Sequence, residues 1–152
     1  MELSKILHTG LIEYPLIAST KEDVISVLIE RLYKSSDLND SEEAKRAVLD
    51  REKLMSTGIG RGVALPHAKA SNIEDVLVSI GVSKEGIEFD SIDGRPAYIF
   101  VLLLTPEQYP SKHIKLLSRF SKILNNAECR NELLQSDSSE KIARVFYKYD
   151  EA

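Results

Sequence analysis

The sequence is nearly without cysteine and has no long apolar stretch, and both shortages narrow what the chain can be. A single cysteine, Cys129, among 152 residues excludes an internal disulfide and fits a reducing cytoplasm. The longest uninterrupted apolar run, Ala97 to Leu104, falls far short of the ~20 residues a helix needs to cross a bilayer. The opening MELSKILHTG has neither the basic start nor the long apolar centre of a secretory signal. No excess of one charge builds a block: 20 basic and 24 acidic residues give a formal charge of -4, spread along the chain. That distribution argues against a nucleic-acid surface or an anionic membrane as main partner, and the short apolar run argues against direct membrane insertion. Nucleotide-binding loops are missing as well. The glycines at 58, 60 and 62 are not followed by Gly-Lys-Ser/Thr and do not have the GxGxxG spacing. What is present is 43% hydrophobic residues in a length that suits one domain, residues 1–152, with a core of its own.

Periodicity orders that core. Leu11 and Ile12 read as a short edge strand ended by Pro15, and His8, beside Thr9 and Gly10, reads as a surface loop residue. Ser19 to Glu22 has capping-box spacing, and Ile25, Leu28, Ile29 and Leu32 recur at helical intervals, predicting a helix from about Lys21 to Lys34. A second helix, about Ser41 to Arg51, has a narrow apolar side of Ala44, Ala47 and Val48. Val76, Val78, Ile80 and Val82 alternate, predicting a strand with one face on a core. Asp93-Gly94 marks a turn; as metal ligands, Asp90 and Asp93 lack a third partner. AYIFVLLL, Ala97 to Leu104, has no polar face and predicts a central strand covered on both sides, ended by Pro106 and Pro110. Helical spacing returns from Ser111, where His113, Leu116, Leu117 and Phe120 share a stripe that carries the histidine inward. Further helices follow at Ala127 to Gln135 and Ser139 to Tyr149, with Cys129 as a small packing residue. The predicted architecture is α/β, three layers of helix, mixed sheet and helix.

The stretch REKLMSTGIGRGVALPH, Arg51 to His67, is the most specific part of the chain. Alternate glycines free the backbone for positive φ and leave its amides open, a loop that can hold an anion. Pro66 biases Leu65 toward extended backbone, so His67 is expected at the end of a small strand. Arg51 falls at a helix C-terminus and His113 in the first turn of a helix after a central strand. Strand ends and helix starts border the crevices of open sheets, so the three can converge.

The segments REKLMSTGIGRGVALPHAK and DSIDGRPAYIFVLLLTPEQYPSKHIKLLSRFSKIL resemble the IIA domains of the fructose and mannitol class of the bacterial phosphoenolpyruvate-dependent phosphotransferase system. The resemblance runs from LSKIL near the start to the last helix, and the free-standing form looks most like the nitrogen-related, or PtsN, branch. It implies that His67 accepts a phosphoryl group, with His113 and Arg51 as its active-site companions. It also implies an HPr-like phosphocarrier as donor, and a IIB domain or a regulatory or ion-transport protein as target. It assigns nothing to Arg61. No cofactor or metal is called for, and two histidines with an arginine make a poor zinc set. A pure binding module would need none of the three residues, and a hydrolase would need a serine, cysteine or carboxylate nucleophile tied to a histidine.

Overall fold

The computed structural model describes residues 2–108 and 110–150. After two 3-10 turns, Leu3–Lys5 and Thr9–Leu11, come β1 (Ile12–Glu13), α1 (Lys21–Ser35) and α2 (Glu42–Leu54). The strands β2 (Gly58–Gly60), β3 (Val63–Ala64), β4 (His67–Ala70), β5 (Leu77–Ile87) and β6 (Ala97–Pro106) follow. The helices α3 (Pro110–Leu124), α4 (Ala127–Gln135) and α5 (Ser139–Asp150) close the chain. The strand order is β1-β5-β6-β3-β2, with β4 also on β6. The sheet is mixed: β5 and β6 run antiparallel, as do β2 and β3, whereas β1 is parallel to β5, and β3 and β4 are parallel to β6. The first two helices pack together on the sheet, and α3, α4 and α5 form a second group. The predicted three-layer arrangement is therefore the observed one.

Each element has a local cause. The first helix is capped one residue later than the Ser19–Glu22 spacing suggested. Thr20 Oγ1 accepts the Asp23 amide at 3.1 Å while Asp23 Oδ2 accepts the Ser19 amide at 3.3 Å, a reciprocal pair with the shorter carboxylate. The second helix runs beyond Arg51 to Leu54 because Glu52, Lys53 and Leu54 are good helix formers and no breaker precedes Ser56. The strand expected at Val76–Val82 is longer and buried on both faces, since Ser79, Gly81 and Ser83 are buried too. Small residues there let α1 lie close: Ser79 Oγ donates to the Leu28 carbonyl at 3.0 Å, and a Cβ on Gly81 would stand 3.1 Å from Leu28 Cδ2. Alternation of large apolar residues could not reveal this second covered face. The apolar run of β6 is central as predicted and Pro106, paired with Ala70, ends the strand, whereas Pro110 opens α3.

Two strands that the chain separates form one line along β6, β3 flanked by β2 and β4 left as an edge. Val63 pairs with Ile99 and His67 with Leu103, the same offset along β6. They are interrupted at Leu65 and Pro66, where proline has no amide to give. The Pro66 carbonyl still accepts the Leu103 amide at 3.0 Å. His67 thus begins β4 instead of finishing β3, and the sheet edge holds its imidazole in place.

Candidate active site

Beyond this edge α2, from one layer, and α3, from the other, border a shallow depression. Arg51, His67 and His113 line it together, with Leu54 and Lys69 beside them. The two imidazole rings stand 4.8 Å apart between centroids at an interplanar angle of 62°. His67 Nδ1 lies 2.8 Å from the Leu65 carbonyl oxygen. A carbonyl can only accept, so Nδ1 carries the proton and Nε2 keeps its lone pair. His113 Nδ1 lies 2.7 Å from Thr105 Oγ1. Arg51 Nη1 donates to the Met55 carbonyl at 2.9 Å, which anchors the guanidinium at the helix C-terminus, where a cation is favoured.

Burial and charge act together on both rings. Burial, assisted by the Arg51 cation, holds His67 below the ordinary histidine value against the opposing pull of the Leu65 carbonyl. His113 is pushed down to about 4, first by burial and then by His67, Lys69 and Arg51. Both imidazoles are neutral at neutral pH. Uncharged rings beside fixed cations give a nitrogen nucleophile next to an anion-attracting field.

A buried carboxylate fixes the chain between α2 and the sheet. Glu52 accepts the Thr57 amide at 3.2 Å, the Thr57 hydroxyl and Lys21 Nζ at 3.1 Å. The same ammonium reaches Asp90 at 3.3 Å and lies 4.8 Å from the centre of the Phe89 ring. The glycine loop has a different task from the one its spacing suggested: none of its three glycines lines the depression. The Ile92 amide donates to the Gly58 carbonyl at 2.9 Å, and the Arg61 amide donates to Asp93 Oδ2 at 2.9 Å. The anion held by the loop is the chain's own Asp93, whose carboxyl is kept below the usual range by the Arg61 and Arg95 amides. Arg61 itself turns away to the Asn125 side chain at the end of α3.

A family model described as the phosphoenolpyruvate-dependent sugar phosphotransferase system, EIIA 2, matches residues 5–149. The chain belongs to this EIIA family. The family's description places its domains in a phosphotransferase system, a machinery that moves phosphoryl groups. The EIIA chain is 34% identical over 150 residues to the fructose-specific EIIABC component of Bacillus subtilis, covering 99% of its own length but 24% of that larger protein. It is 31% identical to the fructose-specific EIIA component of Haloferax volcanii, covering 95% of this chain and 94% of that one. The crystal structure of the nitrogen regulatory protein IIA-Ntr from Neisseria meningitidis superposes with a TM-score of 0.87 at 26% identity, over 95% and 98% of the two chains. No helix among the described residues of the EIIA chain is long and apolar enough to cross a membrane.

All three sequence-predicted residues come together in the EIIA chain, and two of their neighbours were missed. Lys69 follows His67 by two on a strand, a spacing that puts both on one face and could have been read. Thr105 gave no signal, because a threonine near the end of an apolar strand is unremarkable until its partner is known. His8 and Cys129 lie elsewhere: His8 is exposed and accepts the Gly10 amide at 3.2 Å, and the buried Cys129 thiol is pushed up to about 11 by burial.

Proposed function

We propose that this EIIA chain is a phosphocarrier in which His67 Nε2 accepts a phosphoryl group from the phosphohistidine of an HPr-like protein. One observation carries the reading: His67 Nδ1 faces the Leu65 carbonyl at 2.8 Å, and its other nitrogen, without a partner among the described residues, belongs to the depression that Arg51 also lines. In the transfer, the Nε2 lone pair forms a bond to phosphorus while the donor's nitrogen–phosphorus bond breaks and its electron pair returns to the donor ring. No proton has to move. The ring becomes electron-poor as the new bond forms, and the Leu65 carbonyl stabilises the Nδ1–H that shares the developing positive charge. Arg51 faces the equatorial oxygens, where positioning and charge neutralisation dominate such transfers.

Two destinations for the phosphoryl group are each favoured by an observation. The identities with fructose-specific proteins favour delivery to a IIB domain. The close superposition on a nitrogen regulatory protein favours a regulatory role, in which the two phosphorylation states bind different targets in the cytoplasm. Incubation with phosphoenolpyruvate, enzyme I and an HPr-type donor should give an acid-labile, alkali-stable label that His67→Ala abolishes. A label that survives in that variant overturns the assignment. Passage of the label to a fructose-type IIB domain identifies the sugar branch, and retention in its presence identifies the regulatory one.

A further inference from the structure

Both rings in the site have their Nδ1 engaged, but by partners of opposite kind. The Leu65 carbonyl can only accept. Thr105 brings a hydroxyl, which can do either. Its environment decides between them. Thr105 is wholly buried on β6, and among the described residues its Oγ1 has no other partner than His113 Nδ1 at 2.7 Å. If the ring donated to the hydroxyl, the hydroxyl's own hydrogen would be buried with nothing to accept it, an arrangement that folded proteins avoid. The hydroxyl therefore donates, Nδ1 carries no proton, and the neutral ring keeps its hydrogen on Nε2.

We propose that Thr105 is a positioning residue that fixes His113 as its Nε2–H tautomer, so that this ring offers the transferred phosphoryl group a donor and not a second lone pair. The inference rests on His67 as the acceptor and explains why only one of two neighbouring imidazoles takes that part. His67, protonated at Nδ1, is the nucleophile. His113, protonated at Nε2, cannot attack through that nitrogen and instead hydrogen-bonds a phosphoryl oxygen. The division of labour is set by a carbonyl behind one ring and a hydroxyl behind the other.

The ring nitrogens report this directly. In the unphosphorylated protein labelled with 15N-histidine, near neutral pH, His113 should show a protonated Nε2 and a pyridine-like Nδ1, and His67 the reverse. Thr105→Val keeps the shape and strand propensity of the side chain but not the hydroxyl. It should shift His113 toward the Nδ1–H form and slow transfer from a phosphorylated HPr-type donor about tenfold or more, since a donor aimed at developing charge is lost. Its KM for that donor should stay near the wild-type value. Thr105→Ser should restore both the tautomer and the rate. A wild-type His113 protonated at Nδ1, or evenly mixed, overturns the proposal, and so does a Thr105→Val protein with native tautomer or native rate. If wild-type protein shows these tautomers but takes no label on His67, the phosphocarrier reading fails while the assignment of the proton stands.

Discussion

In the proposed transfer the Arg51 guanidinium combines a structural and an electrostatic role, and the two differ in size. Its structural bond is a single contact to the Met55 carbonyl at a helix end, worth at most about 1 kcal/mol. Its electrostatic role is larger, because a unit charge pair at about 4 Å and an effective dielectric near 20 amounts to roughly 4 kcal/mol before desolvation. Arg51→Ala should therefore slow phosphoryl transfer by about two to three orders of magnitude while leaving the thermal midpoint nearly unchanged. A parallel loss of stability and rate would make Arg51 a scaffold residue. His113 yields a different measurement. Held neutral in the folded chain down to about 4, it takes up a proton near pH 6.5 once unfolded. Between those values the unfolded state binds more protons, so the contribution is complete above the upper value and is lost as pH falls through the window. After allowance for the ring's partial contact with solvent, it amounts to roughly 1–3 kcal/mol. Urea unfolding followed from neutral pH down to about pH 4 should show the fall, and His113→Gln should remove part of it. If the slope is the same with and without the ring, His113 titrates as freely folded as unfolded.

At the scale of elements, the hairpin of β2 and β3 shows how a motif can be specific without touching the chemistry. Gly58 lies against the Ser91 segment, where a Cβ would meet Ser91 Cα at 2.9 Å. Backbone cannot swing aside as a side chain can, so Gly58→Ala should cost about 1–3 kcal/mol, read as a lower urea midpoint with an unchanged slope. If the variant is as stable as the parent, the turn of residues 88–96 yields more easily than its contacts imply. The same hairpin marks the limit of reading the chain by eye. Element type was legible wherever a period was long and clean, as in α1, β6 and α3, because burial of one stripe or of both faces writes itself into residue choice. The meeting of Arg51, His67 and His113 was legible from their positions at element ends together with the family resemblance. The purpose of the glycines was not, since the carboxylate that satisfies the Arg61 amide is Asp93, far along the chain and visible only after folding. Thr105 was hidden for the same reason: its partner is fixed by how α3 lies on β6. Likewise, the second buried face of β5 was obscured by Ser79, Gly81 and Ser83, small residues whose burial depends on the helix above them.

For the whole molecule, the consequence is that no layer owns the site. Arg51 belongs to α2, His67 to the sheet edge and His113 to α3, so the depression exists only while helices from both sides are docked. The docking is shared, since the buried apolar residues of both helix groups and of the sheet form one continuous cluster. Leu28 and Leu32 of α1, Phe100 of β6 and Phe120 and Phe146 of the opposite layer all belong to it. A single core of this kind favours one cooperative transition over stepwise loss of layers. The chain has six tyrosines and no tryptophan, so tyrosine emission and far-UV circular dichroism can follow global unfolding while the ring-proton NMR signals of His67 and His113 follow the site. In a urea series all three should move together. Histidine signals that lose their native positions at lower urea than the other two would mean that α2 or α3 leaves the sheet first. The pairing of the two imidazoles would then be a local equilibrium that a partner protein could tilt, and no longer a fixed property of the fold.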